Sequence, residues 1–422
     1  MNSKIKIILF SVFISLLTLP LSAQEKLSLA DAIERGLANN FDILLERKKI
    51  DIAKTNNNWG EAGRYPTIDL SLGQNNSVRS IGDNPAAFIT GDILTQSLDP
   101  RIDLNWTLFN GFKAKMSKDR FENLQKESEG SASIIIENTV QNLILTYYNA
   151  ALEQKRITVL AKTLTLSRDR YHYVKFKKEL GSAVSSDVFL EETNYLTDSL
   201  NFINQELVFR NAVRDLNVLL AEKDVDKIYQ LTNELTFESE EYKLSELQAK
   251  LLNNNVNLKK QYLTQEIARN DLEIAKTSLL PTLSFSSSVF NNRQSQDLSN
   301  AKFANGGEGP SEPNKAVTTT YSLGLNLSFR IFNGGQVKRA IQKANINIDM
   351  NNLQVEKLQQ SLNRDLSAAY DRYYAMKQLL EIAQRNTEVA EKNLEIFNER
   401  FKTGVINSFD FRQVQNTFIT NT

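Results

Sequence analysis

The chain has 422 residues, with 50 Lys and Arg against 50 Asp and Glu, one His and no Cys. The balanced charge gives no indication of nucleic-acid binding, and the lack of Cys excludes disulfides and thiolate metal sites. The mean hydropathy is −0.37 and no run of about 18 apolar residues follows residue 23, so a helical membrane protein is excluded.

Residues 1–23 have the pattern of a cleaved secretory signal peptide. Two lysines form a basic start, residues 7–19 are mostly apolar, and Ala23 is a small residue suited to cleavage. A short membrane anchor is the alternative, but the apolar run is shorter than the ~20 residues that a span needs. We therefore expect an exported protein whose mature chain begins near Gln24.

The rest of the sequence contains an internal duplication. At a spacing of 223 residues, Phe109-Asn110-Gly111 recurs as Phe332-Asn333-Gly334, Tyr147 as Tyr370, Gly181 as Gly404 and Asp187 as Asp410. At a spacing of 215, Asn39-Asn40 matches Asn254-Asn255 and Pro66 matches Pro281. We assign a first structural repeat to residues 24–223 and a second to residues 224–422.

Long helices are predicted where helix breakers are missing. Residues 131–180 lack both Gly and Pro, which cost a helix interior about 1 and ~3 kcal/mol, so this stretch predicts a helix roughly 75 Å long. In the second repeat, apolar residues spaced alternately four and three run from Leu362 to Phe401, interrupted only by Thr387. This period is typical of a coiled-coil seam. The equivalent line in the first repeat is weaker.

In the segments that contain Pro, apolar and polar residues alternate with a period of two, which is typical of strands with one apolar face. The alternation covers residues 68–72 and 102–108 in the first repeat, and 283–285 and 321–331 in the second. Each repeat is expected to contain two strands joined by a long polar loop, the second loop lying around residues 291–317. Each repeat is thus expected to run helix, strand, loop, strand, long helix, tight turn, helix.

Four residues are expected to mark the junctions between helices and strands. Pro66 and Pro281 should end a helix and start a strand, because Pro cannot donate to the preceding turn. Gly111 and Gly334 should lie where a strand turns into a helix, because Gly tolerates a positive φ there. The Asn before each Gly can cap the helix that follows.

Four strands with one apolar face are incomplete as a soluble sheet, because their edges and apolar faces remain open. A closed membrane barrel would cover both, but four strands cannot close one. Three chains supply twelve strands, so the pattern predicts a trimer.

At this point the chain resembles the TolC-like outer membrane efflux proteins over essentially all of its mature length. The paired Pro junctions, the two Phe-Asn-Gly turns and the two Gly-to-Asp helical turns carry the resemblance. It implies a mainly α fold with a small β part. In this fold four strands per chain complete a twelve-stranded trimeric outer membrane β-barrel, and long coiled-coil helices form a periplasmic α-barrel.

The resemblance also implies a function. Such proteins are outer membrane exit ducts of tripartite efflux pumps or type I secretion systems, and they pass small molecules or proteins from the periplasm to the exterior. We therefore expect an outer membrane protein with a periplasmic extension. Its expected partners are a periplasmic adaptor, an inner membrane transporter and outer membrane lipid, and no nucleic acid.

By the same resemblance, two turns lie at the periplasmic tip, where adaptor hairpins dock. These turns are Gly181-Ser182-Ala183 and Gly404-Val405-Ile406. The alternative is that each glycine is an ordinary helix C-cap, and both interpretations can hold together.

The resemblance further implies a periplasmic aperture. Asp410 matches an aspartate of the closed aperture, where threefold symmetry would bring three carboxylates together, and Asp187 is a weaker candidate. Where the family has a second aspartate, this chain has Gln413, so the resemblance does not support a second acidic ring here. Alternatively, Asp187 and Asp410 are N-caps or first-turn acids that the helix dipole favours.

No catalytic motif or cofactor site is predicted. His172 has no partner His or Cys for a metal site, so it is expected at the surface or in a seam. Trp106 lies at an apolar strand position and either anchors the barrel in lipid or packs in a core. A structural envelope coiled coil or adhesin is the alternative function, although it would not need alternating strands.

The second repeat is also expected to be truncated at its last helix. About 33 helical residues follow Asp187, whereas 12 residues follow Asp410. The family pattern needs both return helices, so roughly 20 or more residues are expected beyond Thr422. A natural variant with a short last helix is the alternative.

Overall fold

The computed structural model describes residues 25–82 and 86–421. The predicted signal peptide, residues 1–23, lies outside the described residues. Most of the described chain is helical and a smaller part forms strands. The fold is therefore mainly α with a small β part, as the sequence predicts.

In chain order the described helices are α1 Leu29–Asn39, α2 Phe41–Asn56, α3 Lys113–Glu179, α4 Ser185–Leu219, α5 Leu244–Asn254, α6 Val256–Thr277, α7 Gln336–Lys402 and α8 Ser408–Asn421. The described strands are β1 Glu25–Leu27, β2 Thr67–Ile81, β3 Ile89–Phe109, β4 Tyr229–Leu231, β5 Thr282–Phe303 and β6 Asn314–Ser328.

The boundaries of these elements repeat at the two spacings found in the sequence. Helices α3 and α7 both have 67 residues, and both their first and their last residues are 223 positions apart. The first residues of α4 and α8 have the same spacing. The pairs α1 and α5, α2 and α6, and β2 and β5 each begin 215 positions apart. Each described helix therefore has a counterpart in the other repeat.

The long helix of the first repeat begins earlier than predicted. Helix α3 starts at Lys113 and continues through Gly130, whereas the sequence analysis placed Gly130 before the helix. A Cβ at Gly130 would lie 3.6 Å from Cβ of Lys260, which is ordinary packing distance. The cost of one interior Gly, about 1 kcal/mol, is small because tertiary packing supplies most of the stability of such a helix.

The described chain forms two compact units, and both repeats contribute to each. The first unit contains the described residues up to Arg47, together with Ala132–Asn255 and the described residues from Gln360 onward. The second unit contains Lys48–Ser131 and Val256–Gln359. The two repeats are therefore units of sequence and not separate compact bodies.

In the first unit, two three-residue strands that the sequence analysis missed join the ends of distant segments. Strand β1 pairs in parallel with β4, and Leu27 lies opposite Leu231. Tyr147 of α3 is fully buried beneath them and donates its hydroxyl to the carbonyl of Leu27 at 2.8 Å. This duplicated Tyr is thus part of the core, and its hydroxyl attaches β1 to α3.

The counterpart of Tyr147, Tyr370, belongs to a tyrosine cluster on α7 that holds an extended segment without regular structure, residues 232–243. The hydroxyl of Tyr373 donates to the carbonyl of Glu240 at 2.7 Å and accepts from its amide at 3.0 Å. The hydroxyl of Tyr374 lies 3.1 Å from both the amide and the carbonyl of Tyr242. The cluster thus pairs with alternate residues of the segment, as a neighbouring strand would.

In the second unit, the four long strands form one antiparallel sheet in the order β2-β3-β5-β6. One row across the sheet joins Ile68, Leu104, Ser287 and Leu323. The central pair, β3 and β5, joins the two repeats. Strands β2 and β6 are the edges, and their outer backbone groups have no partner strand among the described residues.

The prediction of a polar loop around residues 291–317 is wrong over most of that range. Asn291 pairs with Thr319, and the pairing continues to Gln296 opposite Asn314. Only residues 304–313 connect the two strands. This part of the strand was not predicted because its Asn, Ser and Gln side chains do not give an apolar alternation. It is nevertheless a strand, since pairing with β3 and β6 satisfies its backbone hydrogen bonds whichever side chains it carries.

The predicted strand at residues 321–331 ends three residues early, and the predicted seam of α7 is buried only in part. Strand β6 ends at Ser328, so Ile331 lies beyond it. In α7, Ala390 and Leu394 are buried, whereas Met376 is exposed. The buried part of the seam is the part that faces α8 and the ends of α3 and α4.

Candidate functional site

Two tight turns connect the long helices to the return helices, and each has a left-handed glycine. Gly181 has φ +73° and Gly404 has φ +78°. In the first turn, the amide of Ser182 donates to the carbonyl of Lys177 at 2.8 Å. In the second turn, the amide of Val405 donates in the same way to the carbonyl five residues before it. This is a Schellman helix end. The C-cap interpretation of both glycines is therefore correct, whatever else the turns bind.

The predicted acids lie in the first turn of the return helices. Oδ2 of Asp187 accepts the amide of Val184 at 3.3 Å. Asp410 is itself capped, because its amide donates to Oδ1 of Asn407 at 2.9 Å. Both carboxylates lie near helix N-termini, where the helix dipole favours negative charge. Asp410 and Gln413 are exposed and one turn apart on α8.

A cleft of about 370 Å³ lies between the two turns. Ser182 and Ala183 of the first turn and Gly404 and Ile406 of the second line it, together with Asp187. Its other lining residues include Tyr173, Val174, Lys177, Leu190, Phe401 and Phe409. The structure thus brings four of the six predicted tip residues, together with the predicted aperture residue Asp187, to one concave surface with an apolar base and a charged rim. Gly181, Val405, Asp410 and Gln413 do not line it.

Beneath this cleft, a buried polar cluster joins α3, α4 and α8. Arg170 is 4% exposed, and its Nη2 lies 2.9 Å from Oε1 of Gln415 and 3.6 Å from Oε2 of Glu191. Nη1 of Arg412 lies 2.7 Å from Oδ2 of Asp198. Gln415 also donates to Asp198 at 3.3 Å. The two arginines balance the two acids, and the cluster attaches α8 to both helices of the first repeat.

Arg170 is only partly satisfied in this cluster. Its guanidinium stacks on the ring of Phe411 at 4.3 Å, and its Nε and Nη1 have no hydrogen-bond partner among the described residues. Within the same part of the chain, neither carboxylate oxygen of Glu191 accepts a hydrogen bond. Burial lowers the pKa of Arg170, and the charge of Glu191 opposes this effect. Removing either partner would leave a buried charge uncompensated, so the cluster is strongly coupled.

The sequence analysis missed this cluster, although its residues lie at seam spacing. Thr163, Ser167, Arg170 and Val174 are separated by four, three and four residues and are all buried. On α8, Phe411, Gln415 and Phe418 are spaced in the same way and are buried as well. A search for apolar seams skips such positions. A search for the four-three spacing that ignores polarity would have found them.

The sheet has one apolar and one polar face. The apolar face carries Leu325, 69% exposed, and Leu323, 78% exposed. Trp106 lies on the same face, and its Nε1 donates to the carbonyl of Arg64 at 2.9 Å. On the polar face, Asp103 pairs with Arg101 at 2.8 Å. Because the apolar side chains are exposed, no described part of the chain covers this face.

The predicted junction residues lie at the ends of the strands. Pro66 and Pro281 immediately precede β2 and β5. The prediction that each Pro also ends a helix is wrong, because α2 ends ten residues before Pro66 and α6 ends four residues before Pro281. Gly111 has φ +66° and Gly334 has φ +60°, and each leads into a long helix. Asn110 caps the first of these helices, because its Oδ1 accepts the amide of Ala114 at 3.3 Å.

Among the described residues, no group of three or more His, Cys, Asp and Glu side chains could hold a metal ion. The ring of His172 is exposed, and in the described part of the chain its one ring contact is with Tyr171, at 5.5 Å between centroids. In residues 25–82 and 86–421, no helix is long and apolar enough to cross a membrane.

The arrangement of helices and sheet is that of the TolC-like outer membrane channels. The CmeC outer membrane channel of Campylobacter jejuni superposes with a TM-score of 0.70 and 17% identity, over 93% of this chain and 80% of that chain. Residues 247–421 match the family described as Outer membrane efflux protein. The described chain therefore has the fold of these channels, and its residues 247–421 are similar in sequence to the outer membrane efflux proteins.

Two characterised proteins are similar in sequence. Nodulation protein T of Rhizobium leguminosarum bv. trifolii is 20% identical over 390 residues, which are 92% of this chain and 79% of that protein. Outer membrane protein TolC of Salmonella enteritidis is 22% identical over 318 residues, which are 72% of this chain and 60% of that protein.

Proposed function

We propose that this protein is an outer membrane exit duct of a tripartite efflux pump or a type I secretion system. One observation carries the proposal. A chain with the fold of TolC-like channels presents a four-stranded sheet with two open edges and one exposed apolar face. Open edges favour pairing with further strands, and an exposed apolar face favours lipid or protein contact.

The same sheet supports a homotrimer. Four antiparallel strands are too few to enclose a lumen, whereas twelve are an allowed even number for an outer membrane barrel. In this arrangement β2 of one copy pairs with β6 of the next, Leu325 faces lipid, and the polar face with Arg101 and Asp103 lines the lumen. The long helices then continue the duct into the periplasm, after export by a cleaved signal peptide.

The cleft between the two tip turns is proposed as the docking site of a periplasmic adaptor, which links the duct to an inner membrane transporter. The apolar base at Val174 and Phe401 fits an apolar side chain of a helical hairpin. Lys177 and Asp187 at the rim offer charges of both signs for orientation. Gly181 and Val405 hold the turns that shape the cleft.

The periplasmic aperture is proposed to lie at Asp410. Its carboxylate is exposed at the start of α8, and in a trimer three such groups near the axis would attract cations. Gln413, one turn further on, would contribute neutral amides. Asp187 lines the docking cleft, which favours a role at the tip over a role in the aperture.

The trimer can be tested by cross-linking, because the chain contains no Cys. We expect a bismaleimide to convert Ser71→Cys/Ser322→Cys, with one Cys on each edge strand, into covalent trimers. The matched variant Ser71→Cys/Ser288→Cys has its second Cys on the central strand β5 and should not form them. Monomer only in both variants would contradict the barrel.

The duct itself can be tested in planar lipid bilayers with the full-length protein. We expect stepwise ion conductance that requires the trimer. A soluble and elongated protein that does not conduct would instead support a structural envelope coiled coil or an adhesin.

A further inference from the structure

A second cleft, also of about 370 Å³, lies in the unit that contains the sheet, where the strands give way to helices. Lys113, Arg330 and Asn110 line it together with five Ser and Thr side chains. Among the described residues that line it, Leu280 is the only apolar one and none carries a carboxylate. Pockets for small molecules are usually mostly apolar, so this lining is specialised for a polar ligand.

The two cations in this cleft are free to bind a ligand. Within the described residues, neither Lys113 nor Arg330 forms an ion pair, whereas Arg101 and Arg120 in the same unit pair with Asp103 and Asp271. Lys113 is the first residue of α3, so the positive end of the helix dipole adds to its charge. The two cations that line the cleft therefore have no ion-pair partner among the described side chains.

The cleft also supplies directed donors on a rigid base. Oδ1 of Asn110 accepts the amide of Ala114, which leaves the two N–H groups of its amide available. Beside it, Gly111 packs closely, because a Cβ there would lie 2.8 Å from the carbonyl of Thr277. Ser278 and Ser328 add hydroxyl donors.

We propose that this cleft binds the phosphate group of a phosphate ester. A guanidinium forms paired hydrogen bonds with phosphate oxygens, an ammonium adds charge, and hydroxyl and amide donors satisfy the remaining oxygens. The volume accommodates the phosphate together with an attached glycerol or sugar. The ester is either the headgroup of an anionic phospholipid or a soluble organic phosphate. The inference does not depend on the proposed duct.

The experiment uses the full-length protein in detergent and titrates it with glycerol 3-phosphate by calorimetry, at an ionic strength fixed with chloride. We expect Lys113→Gln/Arg330→Gln to weaken binding at least tenfold. The control Lys115→Gln/Lys338→Gln removes the same charge from the first turns of α3 and α7, outside the cleft, and should change affinity less than twofold. Equal weakening in both double variants would show charge screening only and would overturn the site.

A second arm distinguishes the two sources of the ester. The protein is reconstituted in nanodiscs with 20% phosphatidylglycerol, and retained lipid is counted by native mass spectrometry. Retention by the unchanged protein and the control, but not by Lys113→Gln/Arg330→Gln, would assign the lipid headgroup. Binding of glycerol 3-phosphate without retained lipid would assign a soluble ester. Absence of both would overturn the proposal, and unchanged thermal melting of both variants guards against misfolding.

Discussion

Nη2 of Arg170 donates to Oε1 of Gln415 across 2.9 Å, although the two residues are 245 positions apart and neither is exposed. This bond joins the first repeat to the second beneath the cleft between the two turns. It means that α8, which carries Asp410, is positioned by a buried polar contact as well as by apolar packing.

We expect Arg170→Ala to destabilise the protein by about 3–5 kcal/mol, because Glu191 would remain buried without its counter-charge. The matched change Arg168→Ala removes an exposed Arg two positions away, which should cost less than about 1 kcal/mol. Urea unfolding of the two variants, followed by circular dichroism, measures the difference. Equal stabilities would show that the cluster is solvated. The double change Arg170→Met/Glu191→Leu should recover most of the loss.

Leu325→Arg should impair assembly by roughly 2–4 kcal/mol, because the proposed barrel places this side chain in lipid. The neighbouring change Asn326→Arg adds the same charge on the polar face and should be tolerated. Heat-resistant trimers on gels and the free energy of unfolding report both effects. Normal assembly of Leu325→Arg would remove the lipid-facing assignment of this face.

Asp410→Ala should change both the conductance and the cation preference of the proposed duct, because in the proposed trimer one substitution removes three symmetry-related carboxylates. Gln413→Asp adds three carboxylates one turn away, so it should raise the cation preference. Single-channel recording with salt gradients measures both. If neither variant moves either quantity, Asp410 serves only as a first-turn acid.

Gly111→Ala and Gly334→Ala form a matched pair at the two junctions. Both residues have positive φ, so each Ala should cost about 1–2 kcal/mol of left-handed strain. Only at Gly111 would the Cβ also meet backbone, since a Cβ at Gly334 would have no described heavy atom within 4 Å apart from its chain neighbours. We therefore expect Gly111→Ala to unfold at clearly lower urea. Equal midpoints would contradict the close packing against Thr277.

Tyr373→Phe should release the extended segment at Glu240. The change removes a hydroxyl that both donates to and accepts from that residue, and a hydrogen bond contributes about 0.5–1.5 kcal/mol. Amide exchange at Glu240 should then accelerate several-fold. Tyr370→Phe is the control, because its hydroxyl reaches Tyr242 only at 3.4 Å. Unchanged exchange at Glu240 would show that other contacts hold the segment.

The positions of Pro and Gly made much of the fold predictable. Pro66, Pro281, Gly111 and Gly334 act through local geometry, so their positions followed from residue type alone. The long helices followed from missing breakers, except that Gly130 is tolerated because packing outweighs its propensity. The polar half of β5 was missed, because its strand character comes from cross-strand pairing that no local pattern reports.

The candidate site was predictable only in its turns. Gly181 and Gly404 stand out in the sequence, but the cleft between them depends on how four helices meet. The cluster around Arg170 was missed because a polar residue at a seam position looks like a solvated face until its partners on other helices are known. The cleft at Lys113 and Arg330 combines residues from both repeats, so only the fold brings it together.

The equal lengths of α3 and α7 restrict how this protein can vary. One residue added within either 67-residue helix would rotate every side chain beyond it by about 100° and turn seam residues such as Leu394 away from their partners. The sheet has already absorbed a length change, because spacings of 215 before it become 223 after it. Natural variation in length should therefore collect in the strand connections, and relatives should keep the number of helical residues between Gly334 and Gly404.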